Sequence, residues 1–138
     1  MISLFVDTSA WYALADEGDI NHLRAQSFFR EAMASGERFI TSNLVVGETY
    51  TLLCTRLGYE AAWEFLDRTR ASTRLEIIFM SPDLEEAAYA LLKRYRNQPF
   101  SFVDGTSFVL MGKTGLDRAF AFDRHFEVAG FALVPDQV

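Results

Sequence analysis

Four acidic residues stand where a folded chain normally keeps apolar ones. Asp7 follows ISLFV, Glu48 lies within NLVVGETYTLL, Asp104 within FSFVDGTSFVLM, and Asp123 follows AFAF. Carboxylates are rarely buried unless something offsets their charge. The apolar runs contain no Lys or Arg to do so, and a divalent cation is the simplest partner. A donor set of oxygens without thiol or imidazole selects Mg²⁺ or Mn²⁺ over Zn²⁺. Two unpaired carboxylates 4 Å apart repel by about 4 kcal/mol at an effective dielectric of 20, so such a cluster either keeps protons or holds cations. Mg²⁺ keeps several waters while bridging to phosphate, and a metal-acidified water is the nucleophile for phosphodiester hydrolysis.

Each acid also has a plainer explanation. Asp7, with Thr8 and Ser9 behind it, and Asp123 fit loop or helix-capping roles. Asp104 completes an S-x-x-D capping box with Ser101, although a cap and a metal ligand are compatible. Glu48 shares a helical stripe with Leu44 and Leu52, the face expected to point into the core; the alternative is a stripe at the edge, with Glu48 reaching water. Nearby, His125 invites a general-base role that a metal-bound water does not require. Arg124 is read either as a phosphate contact or as half of a surface ion pair. Trp11, one turn beyond Asp7, is expected to pack within the fold rather than stack on a base.

An alternating α/β chain is what would bring these acids together. Residues 2–6 are almost wholly apolar, as in a central strand covered on both faces. Similar runs recur at 38–41, 75–80, 119–122 and 131–134. Between them, Ala25, Phe28, Phe29, Ala32 and Met33 follow the helical period, with Gly36 placed to end the helix. Gly58 closes the helix that carries Glu48; Ala62, Phe65, Leu66 and Thr69 mark the next. Ser81 and Pro82 suit an N-cap and first helical position, opening a helix that runs to about Arg96. The order predicts one α/β domain over residues 1–138, with a mainly parallel sheet. Asp7 and Asp123 each follow a strand, where open α/β sheets bind ligands; if those strands are neighbours, the two carboxylates converge.

Composition sets the limits. At 138 residues the chain can bury roughly two-thirds of its unfolded surface. Aromatic residues make up 14 %, 13 of them Phe, a surplus that suggests an outward-facing protein interface. The single Cys54 allows neither an internal disulfide nor a thiolate zinc site and reads as a small core residue. The N-terminus lacks a basic leader and carries Asp7 in its apolar run, which argues against a signal peptide, and no stretch approaches the length of a membrane span. A cytoplasmic protein with no membrane partner is the expectation. The net charge of −6 speaks against nucleic acid, yet 11 of the 13 basic residues are Arg, the side chain suited to phosphate. The densest basic group, Lys93, Arg94 and Arg96, suits a helix C-terminus.

The segments FVDTSAWYAL, TSNLVVGETYTLL, FSFVDGTSFVLM and AFAFDRHFEVAGF resemble the PIN-domain nucleases, and within them the VapC-type ribonuclease toxins of toxin–antitoxin pairs. The likeness runs from residue 2 to about 135, in order and spacing. It implies a three-layer fold with a five-stranded parallel sheet in the order 3-2-1-4-5. It also implies Asp7, Glu48, Asp104 and Asp123 as the acidic quartet of a Mg²⁺ or Mn²⁺ site, Asp7 and Asp104 being the most direct ligands. Thr8, Ser9 and Ser107 would then be supporting hydroxyls, RNA the substrate, and the protein a homodimer neutralised by a small antitoxin.

The same residues bear on other functions. An aspartyl phosphatase or phosphoacceptor needs a D-x-D pair after the first strand, or an acid pair with an Asp ending the third strand and a Lys after the fifth; here Thr8-Ser9 follow Asp7, Met80 ends the third run, and no Lys lies beyond Lys113. A non-catalytic module whose acidic pocket captures a basic partner fits the net charge, but gives no reason for all four acids. A housekeeping PIN nuclease of RNA maturation would share the chemistry.

Overall fold

A computed structural model describes residues 3–136. Ile2, expected to open the first strand, lies outside the described residues. Twelve elements follow one another: β1 (Ser3–Val6), α1 (Thr8–Ala15), α2 (His22–Ala34), β2 (Arg38–Ser42), α3 (Asn43–Arg56), α4 (Tyr59–Ala71), β3 (Leu75–Ile78), α5 (Pro82–Arg94), α6 (Phe102–Thr114), β4 (Arg118–Phe120), α7 (His125–Val128) and β5 (Ala132–Val134). The strands form one parallel sheet in the order β3-β2-β1-β4-β5.

The centre of that sheet explains the apolar opening of the chain. Leu4, Phe5 and Val6 are wholly buried, with Phe5 in register with Ile40 on one side and Ala119 on the other. Aromatic rings fill much of the remaining space. Phe28 packs on Phe120 at 4.9 Å between centroids, and Phe108 meets the Phe126 ring edge-on at 5.0 Å, a geometry that the ring quadrupole favours. Burying a side chain of this size contributes about 1.5–3 kcal/mol. Part of the aromatic surplus is indeed outside: Tyr59, Trp63, Phe79 and Tyr89 are exposed.

The helix limits follow local chemistry. Ser81 caps α5, its hydroxyl accepting from the Leu84 N–H, with Pro82 next. Gly36 and Gly58 take φ of +78° and +100°, a conformation that only glycine adopts without strain. Two strands stop short of the ends of their apolar runs. Beyond Ile78, Phe79 turns outward and the Met80 N–H donates to the Asn43 side chain rather than to a strand. Beyond Phe120, the Phe122 N–H donates to the Ser9 hydroxyl. Cys54 is partly buried against the core. Among the described residues no helix is long and apolar enough to cross a membrane.

Candidate metal and active site

The β1–β4 pairing is what brings the acids together. Val6 lies in register with Phe120, and the next residue, Asp7, donates its N–H to the Phe120 carbonyl, so Asp7 and the segment after β4 leave the sheet side by side. Asp7 is also the N-cap of α1: its Oδ2 accepts from the Ser9 N–H at 3.1 Å and the Ser9 hydroxyl at 2.7 Å. Because the same hydroxyl accepts from the Phe122 N–H at 2.9 Å, Ser9 ties the two strand ends together beneath the carboxylate.

Asp104 occupies the first turn of α6 and forms both halves of a capping box with Ser101. The capping reading is therefore right, and it fixes the carboxylate toward Asp7 rather than competing with a site. Asp104 Oδ2 also lies 3.0 Å from His125 Nδ1. Asp123 Oδ1 accepts from the His125 N–H at 2.9 Å and stands 3.3 Å from the same Nδ1. Both neighbours of Nδ1 are carboxylate oxygens, so this nitrogen carries the proton. His125 thus joins Asp104 and Asp123, and these three offer ligand atoms within 4.8 Å of one another.

Glu48 differs from its sequence reading. Its stripe does not enter the core: the buried residues of α3 are Val45, Thr49 and Leu53, one position along, and Glu48 is exposed. Leu44 and Leu52 line an open groove beside it, which is why the stripe looks like a core face in sequence. Glu48 Oε1 accepts from the Thr8 hydroxyl at 2.6 Å, and this bond carries it to the rim of the same cleft.

All four acids line one cleft of about 550 Å³, shared with Thr8, Ser9, Tyr12, Asp19, Asn21, Arg56, Ser101 and His125. In each of them the hydrogen bonds gather on a single oxygen: Oδ2 of Asp7 and Asp104, Oδ1 of Asp123 and Oε1 of Glu48. Asp7 is the most strained electrostatically. Burial, opposed by the Ser9 hydrogen bonds and reinforced by the charges of Asp104 and Asp123, pushes its pKa up to about 7. A carboxyl that must ionise at neutral pH among like charges suits a cation as partner, and the oxygen donors fit Mg²⁺ or Mn²⁺.

The structure gathers Asp7, Thr8, Ser9, Glu48, Asp104 and Asp123, but not Ser107, which donates its hydroxyl to the Val103 carbonyl within α6. Arg124 pairs with Glu127 at 2.7 Å on the surface. Trp11 is buried, edge-on to Phe65. Sequence reasoning missed how closely His125 joins the acids; the signal was its spacing, two residues after Asp123 with a backbone N–H able to reach back. It also missed Tyr12 and Arg56, which lie one turn beyond Thr8 and two turns beyond Glu48.

Comparison with known proteins gives concordant results. The model of a family described as the PIN domain matches residues 4–132. The chain is 42 % identical over 131 residues to the 23S rRNA-specific endonuclease VapC20 of Mycobacterium tuberculosis, covering 95 % of this chain and 97 % of that one. The crystal structure of M. tuberculosis VapC20, described as a Sarcin-Ricin loop cleaving toxin, superposes with a TM-score of 0.84 over 94 % of this chain and 96 % of its own. VapBC2 of Rickettsia felis, bound to a DNA fragment from its promoter, shares the fold at a TM-score of 0.69 and 15 % identity, over 96 % and 97 % of the two chains.

Proposed function

The chain belongs to the PIN-domain family, and from that membership and the acid-lined cleft we propose that it is a Mg²⁺- or Mn²⁺-dependent endoribonuclease, the toxin of a toxin–antitoxin pair. The observation that supports this best is the convergence of Asp7, Glu48, Asp104 and Asp123 on one cleft. VapC20 is named as specific for 23S rRNA, and at 42 % identity we take a structured loop of ribosomal RNA as the substrate class. A small antitoxin, a second copy of the chain and a cytoplasmic setting complete the proposal.

In this reading Asp7 and Asp104 hold the cation directly, and Glu48 and Asp123 complete its surroundings. Bound there, a divalent cation would neutralise phosphate charge and make water easier to deprotonate into a nucleophile. The remaining residues position the acids. Ser9 holds Asp7 by two hydrogen bonds, Thr8 holds Glu48, the capping box holds Asp104, and His125 spans Asp104 and Asp123. Such supporting contacts are commonly worth 10–100-fold in metal affinity or activity. Because Nδ1 of His125 holds the ring proton and is committed to carboxylates, the other ring nitrogen has none to give, and proton transfer to the leaving oxygen falls to solvent.

The test is to incubate the purified protein with ribosomal RNA and map the new ends. Cuts confined to one or a few loops support the proposal. RNA left intact with either metal would remove it.

A further inference from the structure

The cleft presents an electrostatic problem for an RNA substrate. Asp7, Asp19, Glu48, Asp104 and Asp123 line it, and the chain as a whole carries −6. A bound cation neutralises the scissile phosphate, but the flanking phosphates must still enter an acidic channel. Among the described lining residues, Arg56 is the one Arg or Lys.

Arg56 is held ready for that task. It ends α3 on the stripe that carries Glu48 and Leu52, eight residues beyond Glu48, or about 12 Å along the helix axis. That rise sets its backbone two turns away from Glu48 along the wall of the cleft they share. Its guanidinium stands 5.0 Å over the Tyr12 ring. Tyr12 is only 7 % exposed, and its hydroxyl donates to Asp16 Oδ2 at 2.5 Å, so ring and acceptor are fixed. Asp16 is engaged by Tyr12 and by the Gly18 N–H, and no carboxylate among the described residues forms an ion pair with Arg56. The guanidinium interacts with the Tyr12 hydroxyl and with the charge of Asp16, and, exposed and without an ion-pair partner among the described residues, it still presents donors to the cleft, where its planar fork suits a phosphodiester. By contrast, Arg118 is paired with Glu37 and Arg124 with Glu127.

We propose that Arg56 is the anchor for a phosphate flanking the scissile bond, setting where the RNA backbone enters the cleft. The inference rests on the ribonuclease reading. Arg56 touches a non-reacting phosphate, so it acts on binding and not on the chemical step. A contact to one phosphate of a single strand contributes about 0.7 to the slope of log affinity against log salt.

Cleavage of an RNA hairpin carrying a susceptible loop is followed in Mg²⁺ at several salt concentrations, with Arg56→Gln and Arg56→Met. Met keeps an unbranched apolar side chain beside the Tyr12 ring while removing the charge. The expected result for both is KM raised about tenfold, kcat within twofold of the unsubstituted protein, and the salt slope of KM reduced by about 0.7. Mn²⁺ affinity, measured by calorimetry without RNA, and the melting temperature stay unchanged. Unaltered KM and slope in both variants, or a raised KM with the full slope retained, overturn the proposal while leaving the ribonuclease reading intact. If a variant melts early, RNA binding by the other decides the matter by the same slope. Absence of cleavage by the unsubstituted protein would instead defeat the ribonuclease reading, and this inference with it.

Discussion

Replacing Asp7 with Asn should stabilise the metal-free protein. Burial and the charges of Asp104 and Asp123 raise the Asp7 carboxyl from 3.8 to about 7. About three pKa units correspond to roughly 4 kcal/mol, an upper figure because the surroundings relax. The sign follows from linkage. A folded-state pKa above the unfolded value means that the folded chain holds its proton more tightly. Stability is therefore lost as pH rises from about 3.8 to about 7, and the loss stays constant above that window. Asn is neutral, a good N-cap, and can accept from the Ser9 N–H and hydroxyl as Asp7 does.

Differential scanning calorimetry in EDTA should accordingly give matching melting temperatures near pH 4 for Asp7→Asn and the unsubstituted protein. At pH 8 the variant should melt higher by several degrees, given about 3–4 °C per kcal/mol for a chain of this size. Saturating Mn²⁺ should reverse the order, since only the unsubstituted site binds it well. A variant that melts lower than the original in EDTA at pH 8 would refute the reasoning and assign Asp7 to structure alone.

Two further substitutions probe how the acids are held. Thr8→Val removes the 2.6 Å bond to Glu48 and should weaken Mn²⁺ binding about tenfold with little change in melting temperature, read by calorimetric titration. Gly105→Ala would place a Cβ 2.7 Å from Leu92 Cγ, forcing α5 and α6 apart; a loss of about 1–3 kcal/mol in urea unfolding is expected, with reduced cleavage because α6 carries Asp104.

Much of this could be read from the chain because the determinants were local. Asp7 and Asp123 follow apolar runs that had to be strands, and once those strands proved to be neighbours the carboxylates had to converge. The Ser101–Asp104 capping box was legible as four residues of sequence, and it turned out to orient the acid. Glu48 was misplaced because Leu44 and Leu52 are apolar for the sake of a groove wall, whereas the true core face of α3 includes the polar Thr49, whose hydroxyl is satisfied by the Val45 carbonyl. Apolar stripes do not announce which surface they will cover. The spacing of His125 from Asp123 carried only the tie between those two; its contact with Asp104, and that of Arg56 with Tyr12, join separate elements, α6 with α7 and α1 with α3.

The decisive experiment is cleavage of ribosomal RNA by the purified protein in EDTA, with Mg²⁺ or Mn²⁺ then added back, run beside Asp104→Asn. The quartet predicts no cleavage in the chelator, recovery on adding either metal, and no recovery in Asp104→Asn although that variant remains folded. Undiminished cleavage in EDTA, or a fully active Asp104→Asn, would contradict a metal-dependent site built on these four acids.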